Sequence, residues 1–178
     1  MTVGESDDLA LSMLAERVAV SLRRHRRMLA TAESCTGGWI SKALTDVAGS
    51  SEWFGYGIVS YSNQAKQELL GVSAETLVKH GAVSEAVVHE MAEGVVRIGS
   101  ADVAVSVSGV AGPDGGSDDK PVGTVWFAWA LLDDDGLRSQ AEVHQFEGDR
   151  EAVRRKTVRV ALEGVLDRIE LAARGETE

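Results

Sequence analysis

The chain has 178 residues, 44% hydrophobic and 26% charged, a balance typical of one globular domain spanning residues 1–178. Its formal net charge of −10 disfavours nucleic acid as a partner, because phosphates repel an acidic surface. No apolar run reaches the roughly 20 residues of a membrane span, and the first residues lack the pattern of a signal peptide. The single cysteine, Cys35, excludes an internal disulfide and fits a reducing compartment. Together with the missing membrane span and signal-peptide pattern, this predicts a cytoplasmic protein without a membrane partner.

The first part of the chain is predicted to alternate helices with strands. Apolar residues at helical spacing indicate the helices, and runs of apolar, aromatic or β-branched residues indicate the strands. In chain order these are a helix over 8–27, a strand over 28–33, a helix over 39–47, a strand over 54–61, and short helices over 64–70 and 73–79. Ser62 or Asn63 is expected to cap the helix over 64–70.

The second part is predicted to end in a hairpin and a long helix. Its elements are a helix to residue 98 capped by Ser84, a buried strand over 102–107, a loop over 108–121, strands over 122–132 and 137–146, and a helix over 149–172. The whole order predicts a three-layer α/β/α sandwich around a mixed, mostly parallel sheet of about five strands, with one antiparallel hairpin.

Three polar segments follow predicted strands, and ligands of open α/β sheets bind at the carboxyl ends of parallel strands. The first is Ser34-Cys35-Thr36-Gly37-Gly38, the second spans residues 61–66, and the third is the loop from Ser108. The first segment places a nucleophile beside the start of a helix, where unpaired N–H groups attract negative charge. The alternative is that Ser34 or Thr36 only caps this helix.

Lys66 and Tyr61 belong to the second segment. A lysine that reaches from there into a partly closed pocket loses solvation, which lowers its pKa and lets it act as a base. The alternatives are an exposed helix lysine and a tyrosine that belongs to the core.

The loop from Ser108 carries four glycines and both prolines of the chain, so its backbone can approach a ligand closely. It matches neither the Walker A pattern nor the dinucleotide-binding G-x-G-x-x-G. The alternative is a surface loop without function. Arg150, just inside the last helix, stands at the wrong end for the helix dipole, which suggests an anion site; a surface salt bridge is an equally open alternative.

Two basic clusters, over 23–27 and over 154–156 with Arg159, are interpreted as solvated or subunit-contact faces rather than nucleic-acid sites, because the overall charge is acidic. The four histidines, His25, His80, His89 and His144, lack the spacing of metal ligands, so we expect no metal.

Six motifs in order make the sequence recognisable. They are Thr-Ala-Glu-Ser-Cys-Thr-Gly-Gly (31–38), Val-Ser-Tyr-Ser-Asn-x-x-Lys (59–66), Gly-Ala-Val-Ser-Glu (81–85), Ser-Gly-Val-Ala-Gly-Pro-x-Gly-Gly (108–116), Lys-Pro-Val-Gly-Thr-Val (120–125) and Gly-Asp-Arg (148–150). Together they resemble the CinA C-terminal domain family over residues 8–172. One departure is Tyr56, where many members have glycine; it lies away from the matched positions.

The resemblance implies an amidohydrolase that converts nicotinamide mononucleotide (NMN) and water to nicotinate mononucleotide and ammonia, in pyridine-nucleotide salvage and without a cofactor. It implies a serine nucleophile with tyrosine and lysine partners, which by motif are Ser34, Tyr61 and Lys66. It also implies a three-layer α/β/α fold, a homodimer or higher homo-oligomer, and the stand-alone form without an N-terminal domain. For substrate binding we expect Thr36, Gly37, Gly38, Ser108, Gly109, Ala111, Gly112 and Arg150.

Three alternatives stay open. Cys35 is intrinsically a better nucleophile than serine, although no histidine stands in a motif beside it. A non-catalytic interaction module fits the association of CinA-type proteins with competence and DNA damage, but not the presence of Ser34, Tyr61 and Lys66 together. A nucleotide-phosphate-binding transferase would need the triphosphate loop that is missing.

Overall fold

A computed structural model describes residues 3–175, with side chains from residue 7 onward, and contains one sheet of five strands. The strands are β1 (Leu29–Glu33), β2 (Phe54–Val59), β3 (Val103–Gly109), β4 (Thr124–Asp133) and β5 (Gly136–Gln145), in the spatial order β2-β1-β3-β4-β5. β1 pairs in parallel with β2 and β3, whereas β4 pairs antiparallel with β3 and β5. The predicted mixed sheet with its hairpin is confirmed.

Helices cover both faces of this sheet. They are α1 (Val3–His25), α2 (Trp39–Thr45), α3 (Asn63–Leu70), α4 (Ala74–His80), α5 (Glu85–Gly99) and α6 (Arg150–Ala173). Residues of α1, α2 and α6 share one apolar cluster, and those of α3, α4 and α5 share the other. The predicted three-layer sandwich is therefore confirmed. In the described part of the chain, no helix is long and apolar enough to cross a membrane.

The central strand β3 separates the two clusters, because successive side chains of a strand point to opposite faces. Val103, Val105 and Val107 pack against the α1–α2–α6 cluster, while Ala104 belongs to the cluster on the other face. Small residues on that second face leave room for α5 to lie close to the sheet.

Helix caps agree with the sequence, whereas some element boundaries differ. The hydroxyl of Ser62 accepts from the Ala65 N–H, and Ser84 and Asp149 cap α5 and α6 in the same way. Helix α1 begins at Val3, five residues earlier than predicted, in a stretch too polar to show helical periodicity. Strand β2 ends at Val59 rather than at residue 61, because the chain must already turn to reach the Ser62 cap.

The carboxyl ends of three strands meet at one edge of the sheet. Glu33, the last residue of β1, lies opposite Val59 of β2 and Val107 of β3. The segments that follow these strands are the three polar segments of the sequence. The third is tied back to the fold, since the Gly123 N–H donates to Val110 O at 2.7 Å and Lys120 Nζ donates to His80 O at 2.7 Å.

Candidate active site

Ser34 and Lys66 form a buried pair just beyond the end of β1. Lys66 Nζ lies 2.9 Å from Ser34 Oγ and donates at 2.7 Å to the backbone carbonyl of Ser60. The Lys66 side chain is only 1% exposed, which excludes the alternative of an exposed helix lysine. The Ser62 cap fixes the start of α3 and thereby sets where Lys66, one turn further along, enters the interior.

The surroundings of Lys66 make its neutral form more accessible than it is in water. Burial lowers the pKa of Lys66 to about 8. Among the described residues its Nζ has only neutral hydrogen-bond partners and forms no ion pair. A lysine with this pKa is neutral in about a tenth of the molecules at pH 7, so it can accept a proton from the hydroxyl beside it.

Cys35, the rival nucleophile, is buried in surroundings that disfavour its thiolate. Burial raises the pKa of its thiol to about 12, helped by the negative charge of Glu33. Only the thiolate attacks a carbonyl, so this environment suppresses the cysteine.

Glu33 organises the turn from the opposite face of the sheet, and the sequence reasoning assigned it no role. Its carboxylate accepts from the Ser41 hydroxyl at 2.6 Å, the Ser41 N–H and Thr36 hydroxyl at 2.7 Å, and the Gly38 and Ile40 N–H groups at 3.0 Å. Glu33 is fully buried, like every residue of β1. The available signal was an acidic residue that ends a strand without any other charge.

This carboxylate replaces the hydroxyl cap that was considered for α2. The residue preceding α2 is Gly38, at φ 94°, and no side chain caps the helix from that position. The N–H groups of Ile40 and Ser41, in the first turn of α2, donate to Glu33 instead. Thr36 therefore contacts Glu33 rather than open space, and the Gly37 N–H donates at 3.1 Å to Ser34 O. Of the predicted anion cradle, the Thr36 hydroxyl and the Gly37 and Gly38 N–H groups already have acceptors within the protein.

Tyr61 and Arg150 form a second, exposed contact. Arg150 Nη2 donates to the Tyr61 hydroxyl at 3.0 Å, and Arg150 Nη1 donates to Gly112 O at 2.7 Å. Tyr61 is 60% exposed, so it is not the core tyrosine of the alternative interpretation. The contact joins the start of α3, the start of α6 and the loop after β3, as expected if the three polar segments converge.

The other predicted binding residues of that loop lie at its buried base. The Ser108 hydroxyl donates to Ala82 O at 2.7 Å, and Ala111 is buried. Gly109 lies so close to β4 that a Cβ there would come within 2.7 Å of Val125 Cγ2. These residues fix the loop to the sheet, and Gly112 supplies the carbonyl that holds Arg150.

Arg154 belongs to a cluster that the sequence placed on a solvated or subunit-contact face, yet in the structure it contacts the turn after β1. Its Nη2 donates at 2.7 Å to Thr36 O and its Nε at 3.2 Å to Cys35 O. The other basic cluster also makes intramolecular contacts, since Arg23 donates to Ala48 O and Arg27 to Leu132 O. Both clusters thus contain arginines that donate to backbone carbonyls of other elements and turns, which sequence alone does not distinguish from a solvated face.

Nothing in the described part of the chain forms a group of three or more metal-ligating side chains. The chemistry available at the end of β1 is that of a serine hydroxyl and a partly neutral lysine, beside a turn rich in backbone N–H groups. Such a site is suited to nucleophilic attack on a carbonyl carbon.

Fold and site together define an α/β/α protein with a buried serine–lysine pair at the sheet edge. The sequence matches the CinA C-terminal domain over residues 11–169, and the chain belongs to this family. It is 53% identical to the nicotinamide-nucleotide amidohydrolase PncC of Escherichia coli K12, over 88% of this chain and 93% of that protein. The protein of the same name from Pseudomonas putida is also 53% identical, over 88% and 95%.

Solved structures agree with this family. The competence damage-inducible protein A of Klebsiella pneumoniae superimposes with a TM-score of 0.85 at 42% identity, over 90% of this chain and 97% of that one. A competence/damage inducible protein from Agrobacterium tumefaciens gives a TM-score of 0.82 at 41% identity, over 88% and 94%.

Proposed function

We propose that this chain hydrolyses the carboxamide of NMN, giving nicotinate mononucleotide and ammonia, with Ser34 as the nucleophile and Lys66 as the general base. The observation that carries the mechanism is the 2.9 Å contact between Lys66 Nζ and Ser34 Oγ in a buried site. The assignment of the substrate rests on the relatives, since amidohydrolases named for nicotinamide nucleotides are 53% identical to this chain over nearly their whole length.

The proposed reaction has two halves. Neutral Lys66 takes the proton of the Ser34 hydroxyl while Oγ bonds to the carboxamide carbon. The C–N bond then breaks, and the Lys66 ammonium returns the proton to the leaving nitrogen, which departs as ammonia. A water molecule attacks the acyl-serine with Lys66 again as the base, which releases nicotinate mononucleotide and restores Ser34.

The direct contact between lysine and serine makes a relay through Tyr61 unnecessary. The Tyr61 hydroxyl accepts from Arg150, and both side chains are exposed. We therefore assign Tyr61 to the edge of the substrate site, where it orients Arg150. Arg150 in turn is proposed to bind the 5′-phosphate of NMN, because a guanidinium offers paired donors to phosphate.

The charge of the substrate is expected to prepare its own base. The NMN pyridinium is a cation, and a cation near Lys66 lowers the pKa of the lysine further. An uncharged nicotinamide analogue should therefore react slowly even when it binds.

The experiment that tests the function is ammonia release from NMN by the purified protein, with Ser34→Ala and Cys35→Ala beside the parent. We expect release by the parent, none by Ser34→Ala while NMN still binds, and continued release by Cys35→Ala. No release by the parent contradicts the function and favours a non-catalytic module. Loss only in Cys35→Ala would make the cysteine the nucleophile.

The phosphate site is tested separately. Arg150→Ala should raise KM for NMN far more than KM for nicotinamide riboside, which carries no phosphate. Equal changes in KM for the two substrates would contradict a role of Arg150 in phosphate binding. The homo-oligomeric state stays an expectation from the family resemblance.

A further inference from the structure

Two backbone N–H groups that follow Ser34 have no acceptor in another residue of the described part of the chain. They belong to Cys35 and Thr36, directly after the nucleophile. The neighbouring groups are all occupied: the N–H of Ser34 donates to Val107 O, that of Gly37 to Ser34 O, and that of Gly38 to Glu33. In the described turn, only these two N–H groups have no partner in another residue, and they directly follow Ser34 along the chain.

Arg154 fixes the direction of one of these donors. Its Nε holds the Cys35 carbonyl at 3.2 Å from the α6 side. In a trans peptide the carbonyl and the N–H of the next residue point in opposite directions. The Thr36 N–H therefore points away from the Arg154 guanidinium on α6, and Lys66 belongs to α3, on the opposite face of the sheet from α6.

A second contact prevents the turn from rotating. Arg154 Nη2 also holds the Thr36 carbonyl, at 2.7 Å, so one guanidinium fixes two successive peptide planes. Gly37, at φ +61°, lies against it, and a Cβ at that position would stand 3.5 Å from Arg154 Nη2. The Trp39 ring packs beneath the guanidinium, with 5.3 Å between the ring centroid and Arg154 Cζ.

We propose that the Cys35 and Thr36 N–H groups form the oxyanion hole for the tetrahedral intermediate, and that Arg154 is its positioning residue. This inference rests on the proposed function, since it needs Ser34 to attack a carbonyl. The N–H after a nucleophile is a frequent oxyanion donor, and fixed donors are worth more than donors that must reorganise. The N–H groups further along the turn donate to Glu33, so they are not available to bind an oxyanion.

Arg155 offers a matched control on the same helix. Its Cζ lies 5.0 Å from the Trp39 ring centroid, on the same indole as Arg154. It pairs with Asp8 and with Glu151, not with the turn. Arg155→Met therefore removes a guanidinium from the same surroundings without releasing a peptide plane.

The test compares steady-state kinetics with NMN for Arg154→Met, Arg154→Lys and Arg155→Met. We expect Arg154→Met to lower kcat by about 100-fold with KM changed less than about twofold, which is the effect of losing an oxyanion donor. Arg154→Lys should recover part of kcat, because an ammonium can hold one of the two carbonyls. Arg155→Met should keep both constants within about twofold of the parent.

Two results would overturn the inference. A rise in KM at unchanged kcat would make Arg154 a substrate-binding residue, and equal losses in both methionine variants would make it merely structural. Urea denaturation of each variant checks folding, and Arg154→Lys provides the readout if Arg154→Met does not fold.

A serine-reactive fluorophosphonate separates this inference from the choice of substrate, because its P–O group also needs the oxyanion hole. We expect it to label Ser34 of the parent at least tenfold faster than Ser34 of Arg154→Met. A parent that labels but does not release ammonia contradicts only the proposed NMN substrate. Equal labelling of parent and variant contradicts the role of Arg154.

Discussion

Glu33 and Lys66 are two fully buried charged side chains that flank the same turn on opposite faces of the sheet, yet their surroundings differ. Glu33 accepts five hydrogen bonds of 3.0 Å or shorter, three of them from backbone N–H groups. Lys66 has two hydrogen-bond partners among the described residues, both neutral. A buried carboxylate that accepts many hydrogen bonds stabilises the fold in its charged form. A buried ammonium with few partners loses solvation without compensation, so burial shifts it toward the neutral amine.

The difference separates stability from reactivity within one motif. Glu33 joins the end of β1 to the start of α2, so its hydrogen bonds set the path of the chain around Ser34. Lys66 keeps an amine ready to change its protonation state, at the expense of solvation. The comparison predicts that removing Glu33 weakens the fold, while removing Lys66 leaves it intact and stops the chemistry.

The largest expected effect is that of Lys66→Met on activity. Methionine fills a similar volume without the amine, so kcat for NMN should fall by a factor of about 100 to 10,000, the range for a lost general base. The free energy of unfolding should stay the same or rise, because a desolvated amine is removed. Ammonia assays and urea denaturation measure both quantities.

The exposed Lys42, which pairs with Asp46, gives the matched control. Lys42→Met should leave kcat within about twofold of the parent, since exposed ion pairs contribute little. A Lys66→Met protein that turns over NMN at a rate near that of the parent would contradict the role of Lys66 as the base. It would also contradict the proposed difference between Lys66 and Glu33.

Glu33→Gln should have the next largest effect, and on stability. An amide presents N–H groups to backbone donors that need an acceptor, so we expect a loss of about 3 kcal/mol or more in the free energy of unfolding. Glu90 supplies the control, because its partly buried carboxylate accepts from the Ser73 N–H and the Thr76 hydroxyl at the start of α4. Glu90→Gln should lose about 1 kcal/mol. Equal losses would show that the burial of Glu33 adds nothing.

The pH dependence of activity should show a smaller effect, about tenfold. The base must be neutral, and the pKa of Lys66 is lowered to about 8, so kcat/KM should rise through pH 7 and level off above pH 8. The profile of kcat should level off at a lower pH, because the bound pyridinium lowers the pKa of Lys66 further. Coincident profiles would contradict substrate-assisted activation, and a flat profile would contradict the lysine base.

Stability should depend on pH in the same direction. The pKa of Lys66 is about 8 in the folded protein and 10.5 in the unfolded chain. Between these values the unfolded chain binds more protons, so the contribution of Lys66 to stability rises as pH increases. Lys66→Met should remove this rise, which urea denaturation at pH 8 and pH 10 would detect.

The layers and the site region were predictable because they follow from local patterns. Periodic apolar residues gave the helices, the Val and Ala run gave the central strand, and the hydroxyls of Ser62 and Ser84 marked helix starts. Consecutive strands are usually neighbours in a sheet, so the turn after β1 was expected beside the end of β2, at the edge where open α/β sheets bind ligands.

The sequence by itself therefore determined the sandwich, the sheet edge and the candidate residues Ser34, Tyr61 and Lys66. Only the tertiary structure decided their partners: Lys66 with Ser34, Glu33 with the start of α2, and Arg154 with the turn carbonyls. Arg154 lies 118 residues from Thr36 along the chain, and such a contact leaves no periodic signal in the sequence. Hydrophobic periodicity specifies which face of an element is buried, whereas hydrogen-bond partners depend on distances that exist only after the elements pack.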